Sequence, residues 1–261
     1  MSMDHIKIIF FDIDGTLIDI SRRQITGKML ETLICLKERG IILCLATGRG
    51  PMTLPHFDGW EADAFLTFNG SYCYNRQQVI YQNPISQEDV KRIIKNAASI
   101  NRPVSVAATD RLVANGADED LTEYFSIAKL KVDVSDDFED VVDHKEIYQI
   151  MSGGCESEYP AFLQGVSRAK VAAWWDRALD IVPADSGKGA GVNKILEYYH
   201  LDKSEALAFG DGNNDIEMFQ AVGTGVAMEN ASDSLKAVAD DTCGHVAEDG
   251  ICHYCMAHGL I

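Results

Sequence analysis

The chain has 261 residues, of which 46% are hydrophobic and 24% are charged. This composition is that of an ordinary globular protein, and the length leads us to expect two modest domains. The formal net charge of −17 argues against nucleic acid or an anionic membrane surface as a partner, because both are bound mainly through clustered lysine and arginine. A phosphate site in such a chain would need local positive charge, from a metal ion or a well-placed lysine.

The features that bear on localisation predict a cytoplasmic protein. No apolar run approaches the roughly 18 residues needed to span a bilayer. The first apolar run, IIFF, is too short and too soon followed by Asp12 to be a signal peptide. The seven cysteines are an odd number, and we interpret them as reduced thiols rather than as a disulfide framework.

In chain order, the first part alternates between strand-like and helix-like segments. A helix is predicted from about Thr26 to Arg39, and Gly40 is typical of a helix end. Continuous apolar strands separated by helices indicate a parallel sheet with helices on either side, an α/β fold. The apolar runs that predict such strands are KIIFFDID (7–14), IILCLATG (41–48), AFLTFNG (64–70) and, much later in the chain, EALAFGDG (205–212).

The middle of the chain has a different pattern. QEDVKRIIKNAASI (87–100) and EYPAFLQGVSRA (158–169) predict helices, whereas VSVAATDRLVANG (104–116) alternates as strands do. Together these segments indicate an α+β insertion.

The edges of this insertion carry proline and small polar residues, in NPIS (83–86) and VPADSG (182–187). Domain boundaries usually fall in such segments. We therefore predict a catalytic core made of residues 1–82 and 185–261, with an inserted α+β domain over 83–184.

Polar residues follow several of the predicted strands. In open α/β sheets, functional groups gather at the carboxyl ends of the strands, so these side chains are expected to face one crevice. They are Asp12, Asp14, Thr47, Asn69 and Asp211.

The two aspartates of DIDG, Asp12 and Asp14, place two negative charges at the end of a buried strand. A carboxylate held rigidly there can be a nucleophile that accepts a phosphoryl group, and a second one nearby can exchange protons with the leaving group and with water. The pair needs a neighbouring cation to stay ionised, and a hard, oxygen-lined site favours Mg2+. The alternative is a turn with acidic capping, for which Asp-Gly is common.

Four short motifs resemble, in the same order, the four motifs of the haloacid dehalogenase superfamily of phosphohydrolases. They are FFDIDGTL (10–17), LATGR (45–49), GKGAGV (187–192) and FGDGNNDIEM (209–218). The resemblance spans essentially the whole chain and implies a Rossmann-like parallel-sheet core with an inserted cap domain. The insertion over 83–184, the segment TFNGSYCYN (67–75) and the DGI at 249–251 are similar to the Cof-type subfamily, whose cap is of the C2 type and helps to select the substrate.

This resemblance also implies roles for individual residues, with Mg2+ as the cofactor. Asp12 would be the nucleophile and Asp14 the general acid and base. The implied phosphate-binding residues are Thr47, Gly48, Lys188 and Asn214. The implied metal-site residues are Asp12, Asp14 through its backbone carbonyl, Asp211 and Asp215.

The function implied is Mg2+-dependent hydrolysis of phosphate monoesters of small metabolites, either sugar phosphates or phosphorylated cofactors, through an aspartyl-phosphate intermediate. The partner would be a small phosphorylated metabolite. Two alternatives stay open: a phosphomutase or phosphotransferase that uses the same intermediate, and a non-catalytic regulator that binds a phosphometabolite.

Two further features have more than one interpretation. Arg49 follows the second motif and would lie either at the rim of the site or in a surface salt bridge. The segment CGHVAEDGICHYCMAH (243–258) has a spacing similar to that of zinc ligands, but it contains no repeated CxxC pair.

Overall fold

The computed structural model describes residues 3, 5–22, 24–127 and 129–261, and of Trp174 the backbone alone. The chain divides into two units. The first unit contains Met1–Arg49, Leu54–Gln82 and Gly187–Ile261, and the second contains Gly50–Thr53 and Asn83–Ser186.

The helices and strands follow one another along the chain. In order they are β1 (Ile8–Phe11), α1 (Gly27–Glu38), β2 (Ile42–Ala46), β3 (Ala64–Thr67), β4 (Tyr72–Asn75), β5 (Val79–Gln82), α2 (Gln87–Ser99), β6 (Val104–Ala107), β7 (Leu112–Ala114), α3 (Glu119–Ile127), α4 (Phe138–His144), β8 (Gln149–Gly153), α5 (Tyr159–Phe162), β9 (Ala169–Trp175), β10 (Ala178–Pro183), α6 (Lys188–Tyr199), β11 (Ala206–Gly210), α7 (Ile216–Ala221), β12 (Thr224–Ala227), α8 (Asp233–Lys236), β13 (Asp241–Thr242) and α9 (Gly250–Ala257).

The first unit is built on an eight-stranded sheet in the order β13-β12-β11-β1-β2-β3-β4-β5. The strands from β13 to β3 pair in parallel, and β4 and β5 add to the edge in antiparallel fashion. Every residue of β1 and β11 is buried, which explains why their sequences are continuously apolar rather than alternating. The predicted α/β fold with a parallel-sheet core is confirmed.

The register of the parallel strands decides which residues emerge together. Phe11 in β1 is aligned with Phe209 in β11 and with Leu45 in β2. The rings of Phe11 and Phe209 stack with their centroids 5.5 Å apart, which locks this register close to the ends of the two strands. The loops that follow β1, β2 and β11 therefore leave the sheet side by side.

The helix predicted after β1 is confirmed, and its capping shows why it begins and ends where it does. Thr26 is the N-cap, since its side chain accepts a hydrogen bond from the backbone N–H of Met29, and Arg39 is the C-cap. Gly40 follows with a φ of +79°, in the left-handed conformation that commonly ends a helix.

The second unit has its own five-stranded antiparallel sheet, in the order β7-β6-β8-β10-β9, and its own hydrophobic core. The predicted helix over 87–100 is confirmed as α2. The predicted helix over 158–169 is wrong in length, because α5 ends at Phe162. Gly165 has a φ of +70° in the turn that follows, and β9 already begins at Ala169.

The cysteines and the helices bear on two expectations from the sequence. All seven cysteines are free thiols, as predicted. Among the described residues, no helix is both long enough and apolar enough to cross a bilayer.

Candidate active site

Asp12 continues the hydrogen bonding of β1 for one residue beyond the strand. Its N–H donates to the carbonyl oxygen of Phe209 at 3.0 Å, so its position is set by the sheet. The residue is only 7% exposed, and its Oδ1 accepts a hydrogen bond from Nζ of Lys188 at 2.6 Å. Burial raises the pKa of Asp12 well above its usual value, although Lys188 opposes the shift.

Lys188 is the first residue of α6, and its side chain is fully buried. Its Nζ donates to Oδ1 of Asp12 at 2.6 Å and to Oδ1 of Asp215 at 2.5 Å. Burial by itself lowers the pKa of Lys188, but the two carboxylates outweigh it and hold the pKa above the usual value. Lys188 is therefore a cation fixed between two carboxylates.

Asp215 uses both of its carboxylate oxygens within the protein. Oδ1 accepts from Lys188, and Oδ2 accepts the backbone N–H groups of Asp211 and Gly212, each at 3.0 Å. The side chain has no exposed surface. Asp215 thus fixes the loop after β11 and the position of Lys188 at the same time.

Asp211 is the residue directly after β11. Its Oδ1 accepts a hydrogen bond from Oγ1 of Thr16 at 2.7 Å. Burial raises the pKa of Asp211 to about 6, and the negative charge of Asp215 contributes to the shift, while the bond from Thr16 opposes it. A cation bound beside this carboxylate would favour its ionised form.

The carboxylates of Asp12, Asp211 and Asp215 offer oxygen atoms that all lie within 4.8 Å of one another. Among the described residues, no hydrogen bond is donated to Oδ2 of Asp12 or to Oδ2 of Asp211, whereas both oxygens of Asp215 accept hydrogen bonds. Hard carboxylate oxygens suit Mg2+. The donor set therefore fits such an ion, with Asp12 and Asp211 as the side chains that have an oxygen to offer.

The cysteine and histidine residues of segment 243–258 form no comparable group. Within the described part of the chain, the three aspartates are the single cluster of potential metal-binding side chains. Cys252 and Cys255 are buried in α9, and Sγ of Cys243 lies 3.3 Å from Sδ of Met228. The structure thus gives the zinc interpretation no support.

The turn after Asp14 brings the loops of β1 and β11 into contact. Gly15 has a φ of +91°, and a β-carbon built on it would lie 2.2 Å from Oδ2 of Asp211. Only glycine permits both the backbone conformation and this approach. The carbonyl oxygen of Gly15 also accepts a hydrogen bond from Nδ2 of Asn230 at 2.8 Å.

The Asp14 side chain lies outside the group of three aspartates and pairs with Arg49. Its Oδ2 accepts from Nε of Arg49 at 2.7 Å, and its Oδ1 accepts from a terminal guanidinium nitrogen at 2.6 Å. Hydrogen bonding to Asp14 raises the pKa of Arg49, and the charge of Asp12 contributes. Arg49 thus pairs with a predicted site residue, and the ion pair is itself partly exposed, so the structure is compatible with both interpretations of Arg49. The predicted metal contact of Asp14 involved its backbone carbonyl and stays a prediction.

Thr47, Gly48 and Asn214 lie on the loops at the carboxyl ends of β2 and β11. Oγ1 of the buried Thr47 accepts the backbone N–H of Arg49 at 3.1 Å. The side chain of Asn69, after β3, lies over Gly48 and accepts a hydrogen bond from Nδ2 of Asn214 at 3.1 Å.

The sequence patterns assigned no role to Thr16, Asn69 or Asn230. Thr16 and Asn69 each bond to a predicted site residue, and Asn230 bonds to Gly15, which follows Asp14. Thr16 belongs to the first motif, and Asn69 was recognised only as a polar residue at a strand end. Asn230 follows β12 by three residues, so the same strand-end rule, applied to that strand, would have found it.

The chain is similar to known proteins over almost its whole length. Residues 9–255 match the model of the haloacid dehalogenase-like hydrolase family. The protein YkrA of Bacillus subtilis is 33% identical over 256 residues, which cover 98% of each chain. The 5-amino-6-(5-phospho-D-ribitylamino)uracil phosphatase YitU of the same organism is 27% identical over 261 residues and 95% of each chain.

Among solved structures, BT1666 from Bacteroides thetaiotaomicron is described with the phosphatases of this superfamily. It matches with a TM-score of 0.90 at 27% identity, over 99% of this chain and 97% of its own. The resemblance predicted from the four motifs is confirmed. The chain belongs to the haloacid dehalogenase-like hydrolase family, as a Cof-type phosphohydrolase that acts on phosphoric monoesters.

Proposed function

We propose that the chain is a Mg2+-dependent phosphatase that hydrolyses phosphate monoesters of small metabolites through an aspartyl-phosphate on Asp12. The observation that supports this most directly is the fixed contact of Asp12 with Lys188, which is itself fixed by Asp215. A nucleophile for a dianionic phosphate needs positive charge close to the approaching oxygens, and the buried ammonium group supplies it.

In the first step, one carboxylate oxygen of Asp12 attacks phosphorus, and the bond from phosphorus to the ester oxygen breaks in line with this attack. Asp14 gives a proton to the departing oxygen. Both oxygens of Asp14 are held by Arg49, so one of these hydrogen bonds must open as the proton moves. In the second step, Asp14 takes a proton from the attacking water, which releases inorganic phosphate and restores Asp12.

The phosphate oxygens are proposed to be held by Lys188, the Thr47 hydroxyl, the backbone of Gly48 and the side chain of Asn214. These residues come from the ends of β2 and β11 and from the start of α6. Their N–H, O–H and ammonium groups are the donors that a phosphate needs, because phosphate oxygens at neutral pH mainly accept hydrogen bonds.

Mg2+ is proposed to be held by Asp12, Asp211 and the backbone carbonyl of Asp14, with Asp215 orienting the loop that carries Asp211. When all are ionised, Asp12, Asp14, Asp211 and Asp215 carry two more charges than Lys188 and Arg49 balance, which matches one divalent cation. A bound Mg2+ would screen the repulsion between the negatively charged nucleophile and the negatively charged phosphate.

The proposed substrates are sugar phosphates or phosphorylated cofactors. The relative YitU is named for a substrate that carries a phosphate on a ribityl chain. Such a substrate is a phosphate ester of a small polyol. We also propose that residues 83–184 form the cap domain that selects among such substrates. The segment has a sheet and a hydrophobic core of its own, as an independent domain requires.

The test is the release of inorganic phosphate from a panel of phosphorylated metabolites, with Mg2+ and with a chelator, alongside the Asp12→Asn variant. We expect release that needs Mg2+ and is lost in the variant. Substantial Mg2+-dependent release by Asp12→Asn would overturn the assignment of the nucleophile. Conversion of a phosphosugar to an isomer without free phosphate would instead identify a phosphomutase.

A further inference from the structure

The segment Phe68–Gly70, directly after β3, has an uncommon backbone. All three residues have positive φ, at 49° for Phe68, 51° for Asn69 and 90° for Gly70. A residue with a β-carbon is disfavoured in this region, and a bulky phenylalanine especially so. Such a conformation persists only where the surroundings enforce it, and here it turns Asn69 to the edge of the sheet where the predicted site residues lie.

Contacts on two sides hold this turn in place. The N–H of Asn69 donates to the carbonyl oxygen of Thr47 at 3.0 Å, and the N–H of Phe68 donates to that of Arg49 at 3.0 Å. On the other side, a β-carbon built on Gly70 would lie 2.3 Å from the carbonyl oxygen of Gly187. The turn is therefore packed between the loop after β2 and the residue that precedes Lys188.

The side chain of Asn69 joins two further loops. Its Oδ1 accepts a hydrogen bond from Nδ2 of Asn214 at 3.1 Å. Its amide also covers Gly48, since a β-carbon built there would lie 3.1 Å from Nδ2 of Asn69. Through its backbone and side chain, Asn69 thus contacts three of the four residues proposed to bind phosphate.

The orientation of Asn214 follows from this hydrogen bond. Its Oδ1 faces its own loop, 2.6 Å from the place of a β-carbon on Gly212, and one of its two N–H bonds is used by Asn69. No described residue accepts the second N–H of the same nitrogen, which is the kind of group that an anionic phosphate binds. Without Asn69, the amide of Asn214 would be free to rotate and to present its oxygen instead.

We infer that Asn69 is a positioning residue of the phosphate site, which holds the carboxamide of Asn214 with an N–H toward the phosphate. This inference rests on the proposed function. It adds the end of β3 to the strand ends that build the site, and it explains why a strained turn is kept at this point in the chain.

The variant that tests the inference is Asn69→Gly, because glycine accepts the left-handed backbone while the carboxamide is removed. The variant loses one oriented hydrogen-bond donor to a charged ligand, the N–H of Asn214. We therefore expect the Kd for inorganic phosphate, measured by calorimetry, to rise about tenfold. The KM for a phosphate monoester should rise by about the same factor. We expect kcat to change less than about threefold, because such a contact is made before and during the reaction. The Mg2+ concentration at half-maximal activity should be unchanged. A general disruption of the site would change this concentration as well.

Asn101→Gly is a matched control. Asn101 also has a left-handed backbone, with a φ of 56°, but it lies in the second unit and its side chain is exposed. The same chemical change should leave Kd for phosphate, KM and kcat at their wild-type values.

A double-mutant cycle with Asn214→Ala tests whether Asn69 acts through Asn214. If it does, adding Asn69→Gly to Asn214→Ala should raise Kd for phosphate less than twofold further. Additive effects would contradict the positioning role, and so would an Asn69→Gly variant with wild-type affinity. Failure of the proposed function would be seen separately, because the wild-type protein would then release no phosphate from any monoester. Calorimetry with inorganic phosphate would still test the role of Asn69 in that case.

Discussion

Replacing Gly189 by alanine is expected to displace the start of α6 and, with it, Lys188. A β-carbon built on Gly189 would lie 2.5 Å from the carbonyl oxygen of Glu217 and 3.0 Å from its carbonyl carbon. Ordinary contact begins at 3.4 Å, so the backbones of α6 and α7 must separate by about 0.9 Å at this point. The obstacle is backbone, so no side-chain rotation can relieve it.

The size of the effect follows from this displacement. Overpacking of a close contact costs about 1–3 kcal/mol in the free energy of unfolding. Lys188 precedes Gly189 and holds two carboxylates at 2.6 Å and 2.5 Å, so a shift of this size breaks or lengthens both bonds. Since a misplacement of about 1 Å can reduce a rate by about 100-fold, we expect kcat to fall by about 10- to 100-fold.

Gly27→Ala is the matched control. Gly27 also lies in the first turn of a helix, α1, but a β-carbon built on it meets nothing within 4 Å. Alanine favours a helix over glycine by up to about 1 kcal/mol, so stability should stay the same or rise, with kcat unchanged. Urea unfolding and phosphate release at saturating substrate measure both effects. A Gly189→Ala variant with the kcat of the wild-type protein would refute the view that the close approach of α6 and α7 positions Lys188.

The remaining predictions concern three charged side chains. Burial raises the pKa of the Asp180 carboxyl from 3.8 to about 6, so the folded state binds the carboxyl proton more tightly than the unfolded state does. About 3 kcal/mol of the free energy of unfolding is therefore lost as the pH rises from 4 to 6. Asp180→Asn should therefore gain stability over the wild-type protein in urea unfolding at pH 7.5 but not at pH 4, and an equal difference at both pH values would disprove the assignment. Lys188→Met leaves two buried carboxylates without their cation and should lower the free energy of unfolding by about 3–5 kcal/mol, whereas a loss below about 1 kcal/mol would show that the charges are compensated elsewhere. Arg49→Lys removes the paired hydrogen bonds to Asp14 and should lower kcat/KM by about tenfold, so wild-type kinetics in this variant would exclude a role for the pair in catalysis.

The core strands were predictable because burial on both faces leaves a clear pattern. A strand such as β1 must be apolar at every position, and its end is marked by the first charged residue, Asp12. The helix over 158–169 was not predictable in this way. Its apolar residues have helical spacing, but the chain leaves the helix after Phe162 and takes a left-handed turn at Gly165 before it joins β9.

The candidate site shows the same division. The motifs and the strand-end rule together marked residues that the structure brings into contact, such as Asp12 and Lys188, which are 176 positions apart in the chain. The partner of Arg49 could not be chosen from the sequence, because a surface ion pair and a pair with Asp14 require the same residue type. The supporting role of Thr16 was missed because it depends on one hydrogen bond between distant loops.

The sequence by itself determined the α/β class, the family and the chemical type of the groups at the strand ends, since these depend on local patterns of burial and on short motifs. Only the tertiary structure decided which oxygen of Asp12 is occupied by Lys188, which side chain pairs with Asp14, and how Asn69 turns toward Asn214. The physical reason is that such contacts are set by the register of parallel strands and by the close approach of backbones at a few glycines. These are distances between segments far apart in the chain, and no local pattern of residues encodes them.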